Sequence, residues 1–182
     1  MRKTHGKKWF AALMTLAMCF CFTACVDGNT ELYVEPNAIS FGGIEITIPE
    51  GFKNTREGIG CTLKNDKLSF KTWEHDLDGL NETFGESFES MDEFEKMQKE
   101  WISEESEAYQ VCGKDCIIEK VEDEGDYFYM TTVVLGDLAY EFDAMAADAY
   151  NIDGEKKPDC YKLTDEDYAA FKEFLDGIKL VE

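Results

Sequence analysis

From residue 38 onward the chain alternates between two spacings of apolar side chains. In "IEITIPEGF", Ile44, Ile46 and Ile48 are interleaved with Glu45 and Thr47. This period of two predicts a half-buried strand. Gly42-Gly43 before it predicts a hairpin turn, and Pro49 and Gly51 end the strand. "IGCTLK" and "KLSFKTW" are two further alternating runs, joined as a hairpin at Asn65-Asp66. The period then lengthens. Ser90 stands three residues before Glu93, as in a capping box, and Phe94, Met97 and Trp101 recur on one helical face. The spacing predicts an amphipathic helix over 91–104.

Four strand-like runs follow: "AYQVC", "CIIEKVE", "DYFYMTTVVL" and "LAYEFDAMA". The turn segments "GKD", "DEG" and Gly136-Asp137 separate them, which predicts an antiparallel meander. In the third run both alternating sets are apolar, Tyr129, Val133 and Leu135 on one side and Phe128, Met130 and Val134 on the other. That pattern fits a strand covered on both faces. "NIDGEKKPDCYKL" reads as a loop or a short strand near Cys160. Thr164 opens the last element as an N-cap, with Asp165, Glu166 and Asp167 at the positive end of the helix dipole. Tyr168, Phe171, Leu175 and Ile178 form its apolar stripe, and Gly177 is its stop. The fold class is therefore α+β: one antiparallel sheet of hairpins and a four-strand meander, with a central and a C-terminal helix packed on it. No internal repeat or second domain interrupts residues 38–182.

The N-terminus has another logic. "MRKTHGKKWF" carries Arg2, Lys3, Lys7 and Lys8 without an acid, and "FAALMTLAMCFCFTA" follows as about fifteen apolar or small residues. A basic leader, a short apolar core and small residues at its end form an export signal. About fifteen residues fall short of the ~20 that span a bilayer as a helix. The run ends in "FTAC", which resembles the bacterial lipobox, where small residues precede a cysteine that receives lipid. Thr23 and Ala24 fit that pattern; Phe22 stands where an aliphatic residue is usual. The reading is a lipoprotein signal peptide over 1–24, lipidation of Cys25, a short polar tether over 25–37, and a domain held on the extracytoplasmic side of a bacterial membrane. Cys19 and Cys21 leave with the signal.

Composition narrows the partners. The chain holds 18 basic and 39 acidic residues, a net charge of −21. Loss of the four basic leader residues takes 18 to 14 and leaves a net of −25, with Arg56 as the last arginine. Phosphate neutralisation needs Lys and Arg, so nucleic acid is excluded as a partner and anionic headgroups are disfavoured.

The order of "IEITIPEGF", "DYFYMTTVVL" and "LTDEDYAAFKEFLDGIKL" resembles the PsbP-like/Mog1-like fold, in particular bacterial lipoproteins of the DcrB type. The resemblance implies an antiparallel sheet sandwiched by helices and no shared catalytic residue.

Four cysteines remain beyond Cys25: Cys61, Cys112, Cys116 and Cys160. In an exported chain an even number permits two disulfides. A hairpin turning on "GKD" would set Cys112 nearly opposite Cys116, leaving Cys61 for Cys160. The alternative is a cysteine-dependent redox or hydrolytic enzyme, although C-x-x-x-C is not the C-x-x-C of thioredoxin-like proteins. His75 is the single histidine left after the leader, so a nucleophile has one candidate base. Zinc would have only Cys112, Cys116 and His75 to draw on. "EHDLDGLNE" offers Glu74, Asp76, Asp78 and Glu82 as weak calcium candidates, with Gly79 at the sixth place of an EF-hand loop. Gly85 stands at the twelfth place in lieu of the bidentate Glu. No cofactor motif is present. A non-enzymatic domain that binds an envelope protein fits these residues better than catalysis does.

Overall fold

The computed structural model describes residues 34–35, 37–55, 60–100, 106–123, 126–150, 157 and 160–181. The expected signal over 1–24, Cys25, Arg56, Trp101 and most of the stretch 151–159 expected as a loop lie outside them. Among the described residues no helix is long and apolar enough to cross a membrane.

The alternating segments build two antiparallel sheets. The smaller contains β1 (Val34–Glu35), β2 (Ala38–Phe41), β3 (Ile44–Thr47) and the C-terminal β11 (Ile178–Leu180), in that spatial order. The larger has the order β4 (Lys53–Asn54), β5 (Cys61–Lys64), β6 (Leu68–His75), β10 (Leu138–Ala146), β9 (Asp126–Leu135), β8 (Lys114–Asp123), β7 (Ser106–Val111). The meander expected from the four late runs is present as β7 to β10 in sequence order. The single sheet expected from the pattern is divided, because the Ile44–Thr47 strand pairs with the C-terminal segment through Ile46↔Ile178. That segment carries Ile178 out of the helical stripe and into a strand. β1 also falls within the stretch read as tether, pairing Val34 with Ile39.

Three helices are described: α1 (Leu77–Phe84), α2 (Met91–Glu100) and α3 (Asp165–Asp176). α1 was not expected. Asp76 caps it, its Oδ1 accepting the Gly79 N–H at 2.8 Å, and buried Leu80 and Phe84 lie four residues apart. Gly85 ends it at φ 64°, a left-handed angle that glycine reaches without steric cost. In α2, Ser90 Oγ accepts the Glu93 N–H at 3.3 Å, as a capping box requires. The Glu93 carboxylate reaches one residue further back than expected, to the Glu89 N–H at 2.8 Å. α3 begins at the expected Thr164, with the reciprocal box completed by Asp167.

The seven-stranded sheet has two unlike faces. α3 and the small sheet cover one, where Phe70, Phe142, Phe171 and Phe174 join Ile39, Ile44, Ile46, Leu63, Tyr129, Val133 and Leu175 in the main core. α1 and α2 cover part of the other, where Leu80, Phe84, Phe88 and Phe94 meet Met130, Val134 and Ala139. β9 therefore contributes alternate side chains to both cores, as its two apolar sets predict.

Candidate functional site

Candidate chemistry concentrates on the α1–α2 face of the large sheet, where β6 and β10 lie side by side. Their register sets His75 opposite Ala139, Trp73 opposite Glu141, and Lys71 opposite Asp143. Tyr140, Phe142 and Ala144 of β10 enter the main core, and Ala139 enters the helical one. Period two then sends Glu141 and Asp143 to the helical face. Both are buried, and Asp143 is fully excluded from solvent.

No described residue offers either Asp143 oxygen a hydrogen bond. Burial raises its pKa well above the ordinary carboxylate range; the Glu141 charge adds to the rise, and Lys71 opposes it. The neutral carboxyl is thus the favoured form at this site. Glu141 Oε2 lies 3.6 Å from His75 Nε2, an ion pair whenever that ring is protonated. A full charge on Asp143, buried without a described hydrogen-bond partner, is expensive. The signal for the row was present in "LAYEFDAMA": two acids on the alternate face of a strand with no polar termini.

The cysteines do not pair as expected. The β7–β8 turn consists of Cys112-Gly113, with positive φ at both (52° and 74°), and closes on Val111↔Lys114. Cys116 thus faces Tyr109, while Cys112 sits in the turn itself. A two-residue turn replaces the three-residue "GKD" because Gly113 accommodates the left-handed backbone that such turns require. Cys61 belongs to the main core and Cys160 to a separate small cluster with Ala146 and Ala149, so the second expected pair is not assembled either. All four stand as thiols. Burial pushes the Cys61 pKa up to about 11 and raises those of Cys116 and Cys112 as well. Reactive thiols are shifted in the opposite direction. The Cys112 Sγ lies 3.4 Å from the Ile178 carbonyl, tying the turn to β11.

The weak calcium candidates lie on a strand end and a helix. Glu74, one residue before the end of β6, lies next to Gly42, where a Cβ would run into its carboxylate. Asp76 is engaged as the α1 cap, while Asp78 and Glu82 lie within that helix. The expected oxygen-rich loop is a helix because Leu77, Leu80 and Phe84 supply an apolar stripe to the sheet. Among the described residues no group of three or more His, Cys, Asp or Glu side chains is placed to hold a metal ion.

A second polar cluster joins α3 to edge strand β7. Glu107 accepts from Tyr168 Oη at 2.7 Å and from Lys172 Nζ at 3.1 Å. These hydrogen bonds, Tyr168 first, hold its pKa below the usual carboxylate value. Tyr109 Oη donates to Asp176 at 2.7 Å.

The fold is thus an α+β domain whose antiparallel sheet is helix-covered on both faces. No family model and no curated protein sequence matches the chain. Among solved structures, a protein from Bacteroides thetaiotaomicron is similar at 11% identity and TM-score 0.42, over 77% of this chain and 46% of that one. This chain therefore spans about half the length of that protein. The cyanobacterial PsbP protein CyanoP from Synechocystis is similar at 13% identity and TM-score 0.38, over 76% of this chain and 86% of that one. Neither likeness carries information about activity.

Proposed function

We propose that this chain is a bacterial lipoprotein, anchored through acylated Cys25 to the extracytoplasmic side of the membrane, whose domain binds an envelope protein without catalysing a reaction. The observation that carries the reading is "FTAC" at the end of a basic leader and a short apolar run. Two acyl chains or more on one residue give a stable anchor, since each buried CH₂ contributes ~0.8 kcal/mol. The thiols favour binding over cysteine catalysis, because burial keeps Cys61, Cys112 and Cys116 protonated.

Mass spectrometry of the protein from membranes of its host, after growth with an alkynyl fatty acid, tests the anchor. The expected product starts at acylated Cys25, and Cys25→Ser abolishes the label and releases the protein from the membrane. An unprocessed chain in the cytosol overturns the reading. In-cell photo-crosslinking tests binding, with an envelope protein expected in the crosslinked product. Turnover of a cell-wall substrate by the purified domain would replace binding with catalysis.

A further inference from the structure

The small sheet places the start of β1 and, among the described residues, the two most exposed large apolar side chains at one end of the domain. β1 is antiparallel to β2 with Val34 opposite Ile39, so β1 starts at the end of the sheet that holds Phe41 and the Gly42-Gly43 turn. β11 lies at the other edge of this sheet and finishes at that same end: Leu180 is opposite Ile44, and the Val181 N–H donates to the Gly43 carbonyl at 3.0 Å. Leu180 is 54% exposed and Val181 52% exposed, whereas the other large apolar side chains among the described residues, Tyr127 apart, are buried or partly buried. Four strands at ~4.8 Å spacing put the two edges about 15 Å apart.

Chain length turns this placement into an orientation. On the reading that Cys25 carries the lipid, the roughly nine residues from Cys25 to Val34 reach at most ~30 Å even when fully extended. A domain of this size is about 35–40 Å across. The tether is therefore too short for the opposite end of the domain to settle on the bilayer with ease. The end that remains nearest is the one bearing Gly42-Gly43, Leu180 and Val181. It is rigidly joined to the large sheet, because the Gly43 N–H donates to Tyr140 Oη at 3.0 Å and Tyr140 is buried. Lys179 at this end lies 3.8 Å from Glu45, so its charge is locally balanced.

We propose that the Gly42–Gly43 end of the small sheet rests on the membrane, with Leu180 and Val181 in its interfacial region. The occupant of this apolar patch is thus the lipid surface itself. Two side chains would not hold a free acidic protein on a bilayer. A short tether makes the contact intramolecular, so a weak preference suffices to orient the domain.

Hydrogen exchange tests this on the acylated chain in phosphatidylcholine vesicles. In parallel, the chain from residue 25 is held by an N-terminal histidine tag on nickel-chelating lipid in the same vesicles. The second arm supplies the anchor artificially, so it reports orientation even if Cys25 proves unmodified. Exchange at 178–181 and 42–43 is expected to slow about threefold or more on anchoring, relative to the same chain without vesicles. In Leu180→Asp/Val181→Asp, both exposed in the fold, that slowing is lost while the β9 and β10 amides are unchanged. Equal slowing over all surface amides, slowing centred on α1 and α2, or slowing that survives the double substitution overturns the proposal. Failure of the native arm alone points to the anchor.

Discussion

The two faces of the large sheet solve burial in different ways. On the α3 face, Phe174 stacks on Phe70 at 4.7 Å and meets Phe142 edge-on at 6.1 Å within a core of aromatic and aliphatic side chains. On the α1–α2 face, Phe94 packs on Phe84 at 5.3 Å and Phe88 at 5.5 Å, yet β10 carries two acids into the same layer. Aromatic packing adds to burial on the first face. On the second, part of that gain is offset by a carboxyl without a described partner. A face meant only for stability has no use for Asp143. The contrast makes the helical face the costlier of the two to bury.

The largest expected effect is on the dry face. Phe174→Ala should cost about 4–5 kcal/mol of unfolding free energy by urea titration, through lost transfer energy and a cavity beside three rings. Phe94→Ala should cost about 3 kcal/mol in the same measurement, since it contacts a smaller cluster. Equal losses would mean the two layers are one cooperative core of uniform quality.

Asp143 sharpens the comparison through pH. Its folded pKa is raised above the unfolded ~3.8, so the folded state binds more protons in the window above that value. Stability should accordingly be greatest in mild acid and decline as pH rises toward the folded pKa. The slope approaches about 1.4 kcal/mol per pH unit where one proton separates the states. Burial raises Glu119 in the same direction, so the measured quantity is the slope lost in Asp143→Asn. An unchanged slope in that variant would place the effect elsewhere.

Smaller effects concern the helix that covers the dry face. Thr164→Ala removes the α3 cap and should cost about 1 kcal/mol by thermal unfolding. Lys172→Met leaves Glu107 its Tyr168 bond and should change stability by about 0.3–1 kcal/mol, declining with added salt. A loss of several kcal/mol would show that the edge of β7 is held mainly by charge.

Much of this was legible along the chain. The Ile44–Ile46–Ile48 alternation, the Gly42-Gly43 turn, the four-strand meander, the double-sided β9 and the Thr164 cap are all local periodicities or local hydrogen bonds. Other hairpins were visible only to within a residue. At Asn65 the side chain, accepting from the Lys67 and Leu68 N–H groups at 2.8 and 2.7 Å, moves the turn to Asp66-Lys67. At Cys112 the positive φ moves the turn and dissolves an expected disulfide. α1 was hidden because its acids read as a loop, although Asp76 and the Leu80–Phe84 pair are a cap and a stripe.

What the sequence determined by itself is most of the elements whose hydrogen bonds close within a few residues, the Gly42-Gly43 hairpin, the meander and the Thr164-capped helix among them. The tertiary structure decided the partition into two sheets, the pairing of Ile46 with Ile178, and the placing of Asp143 opposite Lys71. Those pairings join segments far apart in the sequence, with several strands and helices between them, and alternation fixes only which face a side chain takes. Which strand lies beside it is chosen by how the whole set of faces can be buried at once.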